Sequence, residues 1–220
     1  MILMPNNNSH AHLLSVAFPG QWGQLMSPAG KRDPRNLPWA LDNGMFSAWK
    51  PLEYKKDLPL EAFLEHWDGR LFLQFLDWAQ QYHQPRFVVV PDVPGNSTAT
   101  IHRFKVWRPA VEQRGFQPAI AVQDGMAPDD VPPGVVCFVG GSTEWKWKNM
   151  ELFAAECDRV HVGRVNRERR LWQCYRAGVE SIDGSGFFMG DQRQLAGIMR
   201  FCRRVSCGLS EHDQQQLQLL

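Results

Sequence analysis

Six short apolar segments of the sequence are each followed by a polar side chain or a glycine pair. In chain order, the residues at these ends are Asp42, Asp92, Gln123, Gly140 with Gly141, Arg164 and Asp183. One such ending needs no special explanation, because Asp and Gly are common in the turns that follow strands. Six in succession are harder to explain by turn preference alone. They predict a site built from the ends of consecutive strands.

The residue types at these ends suit a nucleobase attached to a sugar. Asp92 offers a hydrogen-bond acceptor, Gln123 offers an amide, and the glycine pair at 140–141 can present backbone N–H donors. A guanine edge carries adjacent N–H donors and a carbonyl acceptor, which these groups match. Asp42 and Asp183 remain as two further carboxylates, and paired acids supply the nucleophile and the proton transfer in glycosyl transfer.

The last of the six endings lies in the segment VESIDGSGFF, where Asp183 directly follows an apolar strand candidate. Gly184 and Gly186 come after it, and a backbone without side chains lets a ligand approach closely. The alternative is a tight turn in which Asp183 binds its own backbone. The other five endings favour the functional interpretation.

Alternation of strand candidates with helical patterns predicts an α/β fold with right-handed crossovers. The strand candidates are continuous apolar runs, which is typical of parallel strands covered on both faces. Six of them precede the endings above, and MILMP or HLLSVAF supplies the earlier strands. Seven or eight candidates favour a single-domain, irregular (β/α)8 TIM-type barrel, with a doubly wound open sheet as the alternative. In such a barrel the carboxyl ends of the strands share one face.

Periodic apolar patterns predict the intervening helices over 58–83, 96–107, 142–156, 166–178 and 191–208. We expect Asn96 or Ser97 to cap the second of these, and Pro109 to kink or break it. The segment DGMAPDDVPPG is too short and proline-rich for a full helix. The last ten residues or so are predicted to form a flexible tail.

Composition narrows the class of protein. The chain has 220 residues with 44% hydrophobic and 21% charged content, as in ordinary globular domains. No apolar run approaches the roughly 20 residues that span a bilayer, and the N-terminus lacks the basic region of a signal peptide, which predicts a cytoplasmic protein without membrane contact. The five cysteines lack CxxC spacing, so we expect reduced thiols, no metal site and no cofactor. The histidines are interpreted as solvated or core residues.

A basic excess lies in the second half of the chain. Between Lys146 and Arg204 there are 12 Lys and Arg against 7 Asp and Glu. Arg164, Arg167 and Arg170 are candidates for phosphate contacts, because the guanidinium fork matches phosphate oxygens. A solvated helix face is the competing interpretation.

Five motifs, in the order LDNGMF, VVPDVPGN, AVQDG, FVGG and SIDGSGF, resemble the tRNA-guanine transglycosylase superfamily, and most closely its DpdA-like branch. The resemblance spans about Leu41 to Phe188. It implies an irregular (β/α)8 barrel and a glycosyltransferase that replaces guanine in DNA by a 7-deazaguanine (preQ0-like) base.

The resemblance also assigns catalytic roles by position in the motifs. Asp183 resembles the nucleophile that attacks C1′ of the sugar and expels guanine, so a covalent aspartyl-glycosyl intermediate is implied. Asp42 in LDNG resembles the second catalytic aspartate, a general acid and base.

The implied base-binding residues come from the other motifs. Asp92 and Gln123 resemble the pair that reads the base, and Gly140 and Gly141 resemble the backbone contact to its carbonyl. Glu144 is the candidate for contact with a substituent on the incoming base.

Two departures from the tRNA enzymes favour DNA as the substrate. Those enzymes carry a zinc subdomain with three cysteines and one histidine, which Cys202 and Cys207 do not reproduce, and they are longer than this chain. A near-neutral chain without an obvious nucleic-acid module would need a homodimer or a helper protein for DNA affinity.

The alternatives to this function are the same chemistry on RNA, another barrel enzyme such as a small-molecule glycosidase or lyase, and a non-catalytic nucleic-acid-binding subunit. Retention of both Asp42 and Asp183 argues against the last of these.

Overall fold

The computed structural model of the protein describes residues 1–6, 10–45, 67–184, 186–189 and 191–209. Eight short parallel strands in this part of the chain form one sheet. They are β1 (Ile2–Leu3), β2 (Gln24–Met26), β3 (Trp39–Leu41), β4 (Val88–Val89), β5 (Pro118–Val122), β6 (Val136–Val139), β7 (Val160–Val162) and β8 (Ser181–Ile182). Their order in the sheet is β1, β8, β7, β6, β5, β4, β3, β2.

The two outer strands of this sheet meet, so the sheet curls into a nearly closed barrel. Parallel bridges join Leu3 to Trp22 and Asn6 to Leu25. The N–H of Gly23 donates to the Leu3 carbonyl at 2.9 Å, which continues the ladder from β1 towards β2. The irregular (β/α)8 barrel predicted from the sequence is confirmed, and the open-sheet alternative is wrong.

Six α-helices of the described residues surround the barrel. They are α1 (Ala11–Ala17), α2 (Gly69–Ala79), α3 (Ser97–Glu112), α4 (Thr143–Glu156), α5 (Glu168–Arg176) and α6 (Gln192–Ser206). The side chain of Asn96 caps α3 by accepting from the N–H of Ala99. The segment DGMAPDDVPPG holds only a 3₁₀ turn at Pro128–Asp130, as expected. The predicted helical residues 58–66 and the predicted tail lie outside the described residues.

Three details differ from the sequence-based expectations. MILMP supplies β1, but HLLSVAF forms helix α1, and β2 was not predicted because three residues show no periodicity. Pro109 does not break α3, which continues to Glu112. Pro109 and Lys105, whose carbonyl loses its hydrogen bond, are both exposed, so water can replace the missing donor.

The apolar side chains form an inner and an outer layer. The inner layer fills the barrel with Met4, Leu25, Ala40, Phe87, Val89, Ala119, Ala121 and Val136. The outer layer joins helices to strands and contains Trp39, Phe72, Phe75, Phe153, Trp172 and Phe201 among others. Of the inner layer, Leu25, Val89 and Ala121 face an open space at the carboxyl end of the barrel. None of the described helices is both long and apolar enough to cross a membrane.

Candidate active site

The carboxyl ends of the strands surround a cavity of about 520 Å³. This volume lies within the range of about 300–1,000 Å³ that is common for small-ligand pockets. Each of the six endings singled out in the sequence contributes to its wall, through Asp42, Asp92, Gln123, Gly140, Gly141, Arg164 and Asp183. The barrel therefore brings together residues that are up to 141 positions apart, from 42 to 183.

Asp183 directly follows β8 and is only 9% exposed. Its Oδ1 accepts from the backbone N–H of Arg164 at 3.0 Å, and its Oδ2 lies 3.2 Å from Nε2 of His161. Both contacts come from the β7 segment and its end. The carboxylate is thus oriented by a neighbouring strand, with a face open to the cavity.

His161 is the inward-facing residue of β7, and sequence reasoning did not identify its role. Its ring is fully buried between Phe87 and Phe138, with centroids 5.0 and 4.6 Å away. Nδ1 lies 2.8 Å from the Ser181 hydroxyl, while Nε2 faces Asp183. The interpretation of His161 as a core residue is confirmed. The structure also shows its contact with Asp183, which the sequence did not indicate. Side chains alternate between the two faces of β7, and this alternation places His161 on the inner face. It was the signal in the sequence that could have identified the residue.

Asp42 directly follows β3 and is partly exposed to the cavity. Burial and, to a smaller extent, the negative charges of Asp183 and Asp92 raise the pKa of Asp42 to about 7, against hydrogen bonds from the Gly44 and Asn43 N–H groups that lower it. Near neutral pH this carboxyl is therefore present in both protonation states. Such a group can donate a proton and later accept one.

Asp92 and Gln123 form a hydrogen-bonded pair on the cavity wall. Oδ2 of Asp92 accepts from Nε2 of Gln123 at 2.8 Å, and Oε1 of Gln123 accepts from the N–H of Gly95 at 3.0 Å. The hydrogen bond from Asn43 and the charge of Arg103 lower the pKa of Asp92, but burial outweighs them and the pKa is raised to about 6. The pair is held in place before any ligand arrives.

Asn43 fixes the other side of Asp92 and was missed in the sequence. Its Nδ2 donates to Oδ1 of Asp92 at 2.9 Å and to the Val90 carbonyl at 3.0 Å. Its Oδ1 accepts from the N–H of Met45 at 2.8 Å. Asn43 is 1% exposed, so its polar atoms need these partners. Its position next to Asp42 in LDNG was the only signal.

The glycine pair forms the turn between β6 and α4. The Gly140 N–H donates to the Val122 carbonyl at 3.2 Å and is therefore already engaged. Gly141 has φ +68°, and a Cβ there would lie 2.6 Å from Oδ1 of Asp124, so this turn requires glycine. Glu144 is exposed in the first turn of α4 and is not on the cavity wall.

The three candidate arginines are separated by the fold. Arg164 lies on the cavity wall, with φ +57° and its guanidinium donating to the Gly141 carbonyl. Arg167 is exposed at the beginning of α5. The Arg170 guanidinium stacks 4.3 Å above the Trp147 ring and bonds Gln173. Of the three, Arg164 alone lines the cavity.

Two observations concern metals and thiols. Among the described residues, no group of three or more His, Cys, Asp or Glu side chains is placed to hold a metal ion. The five cysteines are free thiols.

Comparisons with known proteins bear on the fold. Neither the family models nor the curated protein sequences give a match. Among solved structures, a mutant tryptophan synthase alpha-subunit from Pyrococcus furiosus matches with a TM-score of 0.54 and 10% identity, over 95% of this chain and 98% of that one. The 3-hexulose-6-phosphate synthase from Salmonella typhimurium matches with a TM-score of 0.53 and 10% identity, over 94% and 97%. At this identity the likeness establishes a TIM-type barrel and carries no information on the reaction.

Proposed function

We propose that the protein is an enzyme, a base-exchange transglycosylase that replaces guanine in DNA by a 7-deazaguanine through a covalent bond to Asp183. The observation that carries the proposal is the meeting of Asp42, Asp92 and Asp183 on one cavity wall, each in a different environment. The order of the five sequence motifs supports the same assignment.

In the first half-reaction, the Asp183 carboxylate attacks C1′ of the deoxyribose and forms a glycosyl ester. The bond between C1′ and guanine N9 breaks, and its electron pair leaves with the base. Neutral Asp42 donates a proton to the departing guanine. A carboxyl with a pKa of about 7 still carries this proton in a large fraction of molecules at neutral pH, whereas an ordinary aspartate does not.

In the second half-reaction, N9 of the incoming 7-deazaguanine attacks C1′. The ester bond breaks, and its electron pair returns to the Asp183 carboxylate. Asp42, ionised by the first step, takes the proton from N9 and is ready for another turnover. No proton or electron is gained or lost over the cycle.

Asp92 and Gln123 read the base in both half-reactions. Each carboxylate oxygen of Asp92 receives one protein donor, from Asn43 or Gln123, and retains a lone pair. These free lone pairs accept the N1–H and the exocyclic amino group of guanine. A 7-deazaguanine has the same edge, so one pocket accepts both the leaving and the incoming base.

Radiolabelled guanine tests the proposal without knowledge of the natural incoming base. The protein is incubated with labelled guanine and either a DNA or an RNA oligonucleotide of the same sequence, and the label in the polymer is counted. We expect incorporation into DNA that is absent for Asp183→Asn and retained for Asp158→Asn, an exposed carboxylate outside the cavity. Incorporation into RNA alone would mean that the polymer substrate is RNA and not DNA. No incorporation into either polymer by folded protein would contradict it.

A further inference from the structure

Lys146 is a buried lysine that the catalytic scheme does not use. It lies in the first turns of α4 and is 1% exposed, behind the cavity wall. Its Nζ donates to the Gly163 carbonyl at 2.5 Å and lies 5.3 Å from the centre of the Trp147 ring. Burial of an ammonium group is unfavourable unless its charge is compensated, whereas methionine fills such a space without that cost.

The carbonyl bound by Lys146 belongs to the same peptide group that holds Asp183. The Gly163 C=O accepts from Lys146, and the Arg164 N–H of that peptide donates to Oδ1 of Asp183 at 3.0 Å. A cation at the oxygen end of a peptide polarises it and strengthens the hydrogen bond made by its N–H. The ammonium and the carboxylate are thus joined through one peptide.

The charged and titratable groups around Lys146 come from three neighbouring elements. Arg164 follows β7, Asp183 follows β8, and Arg170 and Cys174 lie on α5. Burial and the positive charge of Arg164 lower the pKa of Lys146 to about 8, although the charge of Asp183 acts in the opposite direction. The ammonium form therefore predominates at neutral pH.

We propose that Lys146 is a positioning residue for the nucleophile and acts on Asp183 through the Gly163–Arg164 peptide. This inference rests on the proposed function. The cation strengthens the hydrogen bond that aims one carboxylate oxygen of Asp183 and stabilises negative charge there, while it stays outside the cavity. The wall beside Asp183 consequently remains free for the sugar, which a lysine side chain within the cavity would obstruct.

The test compares Lys146→Met with Lys148→Met, which removes an exposed lysine two residues further along the same helix. The first measurement is the rate of covalent protein–DNA adduct formation against pH, by denaturing electrophoresis. For Lys146→Met we expect the acidic midpoint of this profile to move up by about one pH unit, and the rate below the midpoint to fall about tenfold. Lys148→Met keeps the parental profile.

A second measurement is independent of catalysis. The carboxyl carbon of Asp183, labelled with ¹³C, is titrated by NMR in the protein without substrate. A higher titration midpoint in Lys146→Met than in the parent supports the inference, even if the parent forms no adduct and the proposed function fails. Equal midpoints in both proteins overturn it, whatever the adduct assay shows.

Lys146→Gln is the second variant, because it removes the charge but retains a donor. If Lys146→Met does not fold, Lys146→Gln is judged by the same two midpoints. Failure of both variants to fold would overturn the inference, since Lys146 would then be needed for the fold itself.

Discussion

Glu180 and Asp183 stand three positions apart in the sequence and lie at opposite ends of the barrel, because β8 runs between them. Glu180 accepts from Nε of Arg86 at 2.8 Å and from Nε of Arg159 at 2.8 Å. Burial raises the pKa of Glu180, but the hydrogen bonds and charges of Arg159 and Arg86 outweigh it and lower the pKa to about 2. This carboxylate stays ionised at every physiological pH.

The carboxylates at the cavity have no comparable arginine fork among the described residues. Asp92 accepts from the neutral amides of Asn43 and Gln123. Burial consequently outweighs the hydrogen bonds to these carboxyls. It raises the pKa of Asp92 to about 6 and, together with the charges of Asp183 and Asp92, that of Asp42 to about 7. At its amino end the barrel pairs the carboxylate of Glu180 with two arginines, which joins neighbouring strands. At its carboxyl end, where we place the chemistry, Asp42 and Asp92 titrate close to neutral pH.

The largest effect is expected from Asp183→Asn. The substitution keeps the shape of the side chain and removes the nucleophilic charge, so guanine exchange should fall by on the order of 10³-fold or more. DNA binding and the melting temperature should change little. A covalent protein–DNA band that persists in this variant would rule out Asp183 as the nucleophile.

Asp42→Asn should lower the exchange rate by about 10²–10⁴-fold, because proton transfer to the leaving guanine is lost. In the parent, single-turnover release of guanine should decline as pH rises through about 7, where Asp42 loses its proton. This decline should be missing in the variant. If guanine release by Asp42→Asn has the same pH profile as in the parent, a group other than Asp42 donates the proton to guanine.

Glu180→Gln should affect stability and leave the chemistry intact. We expect the free energy of unfolding at pH 7 to fall by about 3 kcal/mol, because two arginines lose their shared partner. The folded pKa of about 2 lies below the ordinary value of 4.5, so this stabilisation is present above pH 4.5 and lost as pH falls towards 2. Urea unfolding at pH 3 and pH 7 measures it. A lower kcat in the fully folded Glu180→Gln variant would show that the amino end of the barrel influences the chemistry at the carboxyl end. That result would contradict the comparison.

Asp42→Asn should increase the free energy of unfolding, which is the opposite of the effect expected for Glu180→Gln. The folded pKa of about 7 lies above the ordinary value of 3.8, so ionisation of Asp42 destabilises the fold progressively as pH rises from about 4 to 7. Asparagine removes this loss, and the free energy of unfolding at pH 8 should rise by about 2 kcal/mol. The same urea experiment at pH 4 should give a smaller difference. A destabilised variant at pH 8 would mean that the Asp42 hydrogen bonds outweigh its burial.

The smallest effect concerns phosphate contacts at the cavity. Arg164→Ala should weaken DNA binding and reduce the slope of log K against log salt by about 0.7–0.9, the value for one phosphate contact. Arg170→Ala is the matched control, because its guanidinium packs on Trp147. Fluorescence anisotropy between about 50 and 200 mM salt measures both slopes. Equal slopes in Arg164→Ala and the parent would make Arg164 a purely structural residue.

Much of the fold could be predicted because the strands that carry the site are continuous apolar runs with clear polar ends. The predictions were wrong where an element is too short to show a periodic pattern, or where the surroundings of a residue determine its conformation. Three-residue β2 shows no periodicity, and Pro109 is tolerated in α3 because its neighbourhood is exposed. Glu144 was assigned to the base through its motif, but its place in the first turn of α4 directs it outside the cavity wall.

The amino-acid sequence by itself determined which side chains follow the strands, and parallel strands of one barrel must present those ends on one face. Only the tertiary structure decided what each side chain meets there. Asp183 contacts residues about 20 positions away, and Asn43 meets Asp92 across 49 positions. Desolvation, hydrogen bonding and charge depend on distances in space. The titration of Asp42 near pH 7, the orientation of Asp183 by His161 and the place of Lys146 behind it therefore follow from packing that no local pattern encodes.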